Sequence, residues 1–156
     1  GETFVTKKII RALVRIKMGY QKKLVLGNLD SKRDWGHARD YVEAMWKILQ
    51  QKKPDDYVIA TGKQYSIRQF INFVTKKLNM KIRWKGKGLN EKGFDTVNKK
   101  NIIFVDSNYI RPLDVNTLLG NASKARRLLK WKPKHNIHSL IKDMISYELE
   151  IHKNDK

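Results

Sequence analysis

Apolar positions recur with a helical period over residues 6–18 (Ile9, Ile10, Leu13, Val14, Ile16), with Thr6 as a candidate cap and Gly19 as the stop. A short strand over 23–26 follows. Residues 38–50 form a second helix whose apolar set, Tyr41, Val42, Met45, Trp46, Ile48 and Leu49, is wide enough to need burial from more than one side. Four consecutive apolar residues at 57–60 predict a strand covered on both faces. Helix, short loop and apolar strand in that order is the pattern of a parallel sheet with crossover helices. Ser66 and Gln69 make a capping box for a helix reaching about Leu78, and 81–84 reads as a strand. The glycines and lysines of 85–100 predict a long flexible loop, and 102–105 a strand. A short helix within 118–129 stops at Trp131-Lys132-Pro133. Residues 137 to about 152 close the chain as an amphipathic helix that frays over 151–156.

Composition narrows the class. The chain has 156 residues, enough for one ordinary domain, and its 40% hydrophobic content is that of a globular protein rather than a disordered one. No apolar run approaches eighteen residues and no secretory leader is visible, so the expectation is a cytoplasmic protein with no membrane span. The absence of Cys excludes disulfides and thiolate metal sites. His37, His135, His138 and His152 lack a zinc-like grouping. A net charge of +19 invites a nucleic-acid partner, but 25 Lys against 9 Arg, scattered through nearly every segment, reads as a solvated surface. The expectation is therefore no nucleic acid.

The densest chemistry lies at 26–41, LGNLDSKRDWGHARDY. Gly27-Asn28 and Asp30-Ser31 are turn residues. Arg33 is a fork donor that either pairs with the adjacent Asp34 or recognises a phosphate. A second arginine, Arg111, is followed by Pro112 and by Asp114, with which it either pairs or shares a ligand site. His37, a lone histidine before a helix, is more readily structural than an acid-base catalyst. Gly86, Gly88 and Gly93 lack the strand-to-helix setting of a phosphate cradle. No Ser-His-carboxylate set suggests itself.

Five stretches, GETFVTKKI at 1–9, LGNLDSKRDWGHARDYVEAMW at 26–46, DYVIATG at 56–62, YIRP at 109–112 and LKWKP at 129–133, resemble the carboxy-terminal half of the GDP-mannose 4,6-dehydratase family. These enzymes are extended short-chain dehydrogenase/reductases. The resemblance runs from residue 1 to about 150.

It implies an α/β fold: the substrate-binding lobe of an extended Rossmann-type reductase, in which residues of about 38–62 contribute a helix and a strand to a parallel sheet outside this chain. It further implies NADP bound by an amino-terminal lobe, GDP-mannose as substrate, GDP-4-keto-6-deoxymannose plus water as products, and a homo-oligomeric parent, dimer or tetramer. Position by position, Arg33 and Arg111 resemble the family's diphosphate ligands, and Lys8 a lysine beside the guanosine. Leu26, Gly27 and Asn28 resemble nucleotide contacts. Asp114 resembles a ribose-binding Glu and is one methylene shorter. The family's Tyr-x-x-x-Lys base occurs nowhere here: Tyr20, Tyr41, Tyr57, Tyr65, Tyr109 and Tyr147 are followed four residues on by Leu24, Met45, Thr61, Gln69, Leu113 and Ile151. The glycine-rich dinucleotide turn is likewise absent. The expectation is a fragment that recognises substrate without performing the chemistry. Another nucleotide-sugar reductase or epimerase, or a basic nucleic-acid-binding module, stands as the alternative.

Overall fold

A computed structural model describes residues 4–110 and 115–154. Helix α1 (Val5–Lys17) leads to strand β1 (Leu24–Leu26), the two-residue strand β2 (Lys32–Arg33) and helix α2 (Ala38–Leu49). Strand β3 (Tyr65–Ser66) runs directly into α3 (Ile67–Lys77), and strands β4 (Ile82–Lys85), β5 (Lys92–Asp95) and β6 (Lys100–Val105) follow. Helices α4 (Ser123–Leu128) and α5 (Ile137–Asn154) complete the chain.

The main sheet has the order β1-β6-β5-β4, with β1 parallel to β6 and the other pairs antiparallel. Helices α1, α3 and α5 cover it, and the core they share includes Ile9, Leu13, Leu24, Phe70, Ile71, Ile103 and Ile141. Helix α3 starts where the sequence placed it: the Ser66 hydroxyl accepts from the Gln69 amide, and the Gln69 side chain accepts from the Ser66 amide. Helix α1 ends at Gly19, whose φ of +84° only glycine adopts without strain.

A second core gathers Ala44, Ala60, Ala122, Ala125, Leu129 and Trp131. Its anchor is Trp131, fully buried, whose indole N–H donates to the Asp40 carbonyl at 2.9 Å. The outer face of α2 is bare: Val42, Met45 and Trp46 are each more than 60% exposed and Leu49 is 80% exposed.

Three expectations are corrected. Residues 57–60 form no strand here, because no neighbouring strand lies beside them among the described residues; Val58 is exposed and Ala60 packs into the second core. Residues 85–100 are not a loop but contain a hairpin. Gly86 makes its turn at φ +79°, and Gly93 lets β5 lie against Ile103, whose nearest side-chain atom would stand 2.8 Å from a Cβ there. The helix within 118–129 is shortened to α4, leaving Leu118 and Leu119 exposed. The closing helix extends past 152, with residues 151–154 continuing α5 and His152 buried and edge-on to Tyr20 at 5.7 Å. Among the described residues no helix is long and apolar enough to cross a membrane.

Candidate functional site

Where β1 ends, the chain turns at Gly27 and opens a cleft of about 620 Å³. One wall is the start of α1, with Phe4, Val5 and Lys8; the floor is Leu26, Gly27 and Asn28. The opposite wall is Ser31 and the run Arg33-Asp34-Trp35, with Ile67 from α3, and Asn108 and Tyr109 close the end. Five residues singled out from sequence, Lys8, Leu26, Gly27, Asn28 and Arg33, therefore meet in one cavity although they come from three elements. The other two, Arg111 and Asp114, lie outside the described residues.

Each of the five is held for a local reason. The backbone of Gly27 lies so close to the Tyr109 carbonyl that any Cβ would collide with it, so the glycine serves close approach. Lys8 sits with its Nζ 3.6 Å from the centre of the Tyr109 ring, and burial pushes its pKa below the ordinary lysine value. The Asn28 Oδ1 accepts from the Asp30 amide at 2.9 Å, which leaves the carboxamide nitrogen as the donor this side chain can offer. Arg33 donates through Nη1 to the carbonyls of Lys32, at 2.8 Å, and Val115, at 2.6 Å. Trp35 packs on Phe70 with ring centres 5.0 Å apart, which ties the wall to the main core.

The amino terminus of α3 borders this cleft, yet its first donors are used internally. The Ile67 amide donates to the Ser31 carbonyl and the Arg68 amide to the Leu29 carbonyl. The Arg68 side chain binds Glu91 and Asp30, fixing the 28–31 turn against the helix. The start of α3 therefore has no amide to spare for a ligand, whereas α1, which also begins at this cleft, has no side-chain cap.

Two sequence-level alternatives resolve differently. Asp34 does not pair with Arg33: its Oδ1 accepts from the Thr61 amide and hydroxyl at 3.0 and 2.6 Å, and its Oδ2 from the Gly62 amide at 2.8 Å. His37 does not line the cleft. Its Nδ1 accepts from the Arg39 amide at 3.2 Å, which puts the proton on Nε2, 3.3 Å from Asp143, and its ring stacks on His135 at 4.2 Å. No group of three or more His, Asp or Glu side chains among the described residues could hold a metal ion. Sequence reasoning missed Tyr109 and Asn108 as cleft residues. Their signal was the aromatic just ahead of Arg111, but the fold was needed to carry it across to Lys8.

The model of the family described as GDP-mannose 4,6 dehydratase matches residues 1–144. The chain belongs to the GDP-mannose 4,6-dehydratase family. It is 46% identical over 154 residues to GDP-mannose 4,6 dehydratase of Dictyostelium discoideum, covering 99% of this chain and 43% of that protein. With GDP-mannose 4,6 dehydratase 2 of Caenorhabditis elegans it is 46% identical over 157 residues, covering 99% and 40%. This dehydratase-family chain thus spans about two fifths of the length of these relatives. Its fold is that of extended Rossmann-type sugar-nucleotide enzymes. RMD from Pseudomonas aeruginosa, solved with NADPH, superimposes with a TM-score of 0.76 at 19% identity over 97% of this chain and 44% of its own. The dTDP-glucose 4,6-dehydratase of Bacillus anthracis, solved with NAD, gives 0.69 at 17% over 97% and 41%.

Proposed function

We propose that this chain is the substrate-binding portion of a GDP-mannose 4,6-dehydratase, an NADP-dependent hydro-lyase converting GDP-mannose to GDP-4-keto-6-deoxymannose plus water. The observation that carries the reading is the convergence of Lys8, Leu26, Gly27, Asn28 and Arg33 on one cleft at the carboxyl end of β1 in a chain of this family. Arg33 offers a planar fork of donors suited to a diphosphate. Lys8, with its ammonium over the Tyr109 ring, supplies a second cation beside the nucleoside. Arg111 and Asp114 belong to the same site in this reading, as the second diphosphate arginine and a ribose contact.

The chain's own residues do not fit the cofactor. Gly27 follows a strand but leads into a turn and the short strand β2, not into a helix whose amino terminus could meet a pyrophosphate. With no Tyr-x-x-x-Lys pair either, NADP and the acid-base chemistry are assigned to the part of the parent that this chain does not span, and this portion alone is inactive. The bare face of α2 and the 57–60 segment pack on that same part, which accounts for the exposure of Trp46 and Leu49. A cytoplasmic, homo-oligomeric parent, dimer or tetramer, belongs to the reading and rests on the family resemblance.

The test is turnover of GDP-mannose by the intact parent, followed by product analysis and by NADPH absorbance. A 4-keto-6-deoxy product with no net reduction of cofactor is the expected result, and net oxidation or reduction would replace the dehydratase with a reductase. Titration with GDP-mannose at rising salt separates the enzyme from a nucleic-acid module. Affinity for the sugar nucleotide is expected to persist, where polyanion binding by a basic surface would fall steeply.

A further inference from the structure

Arg33 and Asp34 are consecutive on the cleft wall, and the carboxylate reaches a different part of the molecule from the guanidinium. Asp34 takes three hydrogen bonds, from the amide and hydroxyl of Thr61 and from the amide of Gly62. The far side of that turn is held by Arg126 of α4, whose Nη2 donates to the Thr61 carbonyl at 3.0 Å. Gly62 adopts φ +78°, and a Cβ on it would meet the same Nη2 at 3.0 Å, so the turn is shaped to admit that guanidinium. A continuous hydrogen-bonded path runs from the second core, through Arg126, Thr61 and Asp34, to the backbone of Arg33.

Strand β2 is too short to fix Arg33 by itself. Its ladder consists of two residue pairs with β3 and a bridge from Lys32 to Thr117 on the other side. Recognition of a diphosphate by a guanidinium tolerates displacements of only about half an ångström. The residue after Arg33 therefore governs how well that fork is aimed. We infer that Asp34 and Thr61 are positioning residues for the anion site, fixing the backbone that presents Arg33 and linking the cleft to the second core. This rests on the reading of Arg33 as a diphosphate ligand. Thr61 itself does not line the cleft, so it can be altered without touching the ligand.

The experiment uses the full-length enzyme with GDP-mannose as the probe. Thr61→Val keeps the shape and removes the hydroxyl donor, Thr61→Ser keeps the donor, and Arg33→Ala is the reference. Thr61→Val is expected to raise the dissociation constant for GDP-mannose about tenfold, with kcat and the melting temperature near the wild type, and Thr61→Ser to restore affinity. Asp34→Asn is expected to lose more, because its amide must face one of the three donors. Unchanged affinity in Thr61→Val beside a clear loss in Arg33→Ala overturns the positioning role and leaves the reading of Arg33 standing. Equal losses in the Val and Ser variants, or losses matched by a fallen melting temperature, also overturn it. If Arg33→Ala binds normally, the reading underneath fails and the inference falls with it.

Discussion

Arg33 and Val115 are 82 positions apart, yet the guanidinium of the first donates to the carbonyl of the second at 2.6 Å. The contact belongs to a small mixed ladder: the Lys32 amide donates to the Asn116 carbonyl and the Leu118 amide to the Lys32 carbonyl. Arg33 thereby stands at the join between the 26–35 wall and the segment that follows Asp114. Its side chain holds backbone on one side and lines the cleft on the other.

Removing it should act on both. In the full-length enzyme, Arg33→Ala is expected to weaken GDP-mannose binding by about 1.5 to 3 kcal/mol, the scale of a charged hydrogen bond. Arg33→Lys is expected to recover only part, because an ammonium cannot serve a carbonyl and a diphosphate as a fork does. Arg111→Ala is expected to lose a similar amount. Isothermal titration with GDP-mannose decides, and full affinity in both alanine variants would remove the diphosphate assignment.

Gly27→Ala is expected to be worse than its size suggests. The new methyl would strike the Tyr109 carbonyl, a backbone atom that cannot swing aside, so the cleft floor must separate from the Ser107–Tyr109 turn. A cost of about 1 to 3 kcal/mol in stability follows from overpacking of this kind. Binding should fall as well, since Tyr109 also carries Lys8. Gly19→Ala serves as a control, because open space surrounds that site and only its positive φ is strained. Thermal melts of the two variants should differ in that order.

The acid limb of stability should contain Asp40. Burial pushes its carboxyl up, but the hydrogen bonds it accepts from the His135 ring and amide, at 2.8 and 3.0 Å, outweigh this and hold it below the usual carboxylate range. A carboxyl whose folded pKa lies below its unfolded one contributes stability at pH values above the unfolded value of about 4, and loses it as pH falls through the folded value. The gap in unfolding free energy between wild type and Asp40→Asn is thus expected to shrink as pH falls below about 4. Denaturant melts on either side of that pH would show it, and a gap independent of pH would refute it.

The exposed face of α2 gives a colloidal prediction. Val42, Met45, Trp46 and Leu49 form one apolar surface on a helix whose other side is already packed, and surfaces of this kind drive association. The chain by itself is expected to self-associate, and Trp46→Lys with Leu49→Lys to suppress this without shifting its melting temperature. In the full-length enzyme the same pair is expected to be destabilising. Light scattering of the isolated chain and melting of the intact enzyme test the two halves separately.

Much of the local structure was legible in the sequence because periodicity and capping are local. The capping box at Ser66 and Gln69, the apolar stripe of α1 and the start of the closing helix α5 all stand where the pattern puts them, α1 within a residue. Of the hairpin, β4 was legible as a strand at 81–84, but its turn and β5 were not. Its outward positions carry Arg83, Lys85 and Lys92 and its turns carry glycine, so an edge of the sheet has the composition of a loop. Residues 57–60 erred the other way: four apolar residues have the propensity of a strand, but a strand exists only where a neighbour offers its hydrogen-bonding groups.

The sequence by itself determined the family, the residue types fit for a diphosphate and a nucleoside, and the absence of a Tyr-x-x-x-Lys base, all of which reside in local order and spacing. It could not say where Asp34 points. Adjacent opposite charges suggested an ion pair, and only the fold brought Thr61 and Gly62 within reach with three better-aimed donors. Nor could it place Tyr109 under Lys8, or Val115 against Arg33. Those partners lie 101 and 82 residues apart, and such long-range contacts arise from how β1 lies beside β6 and how Lys32 pairs with residues 116–118, which no local pattern records.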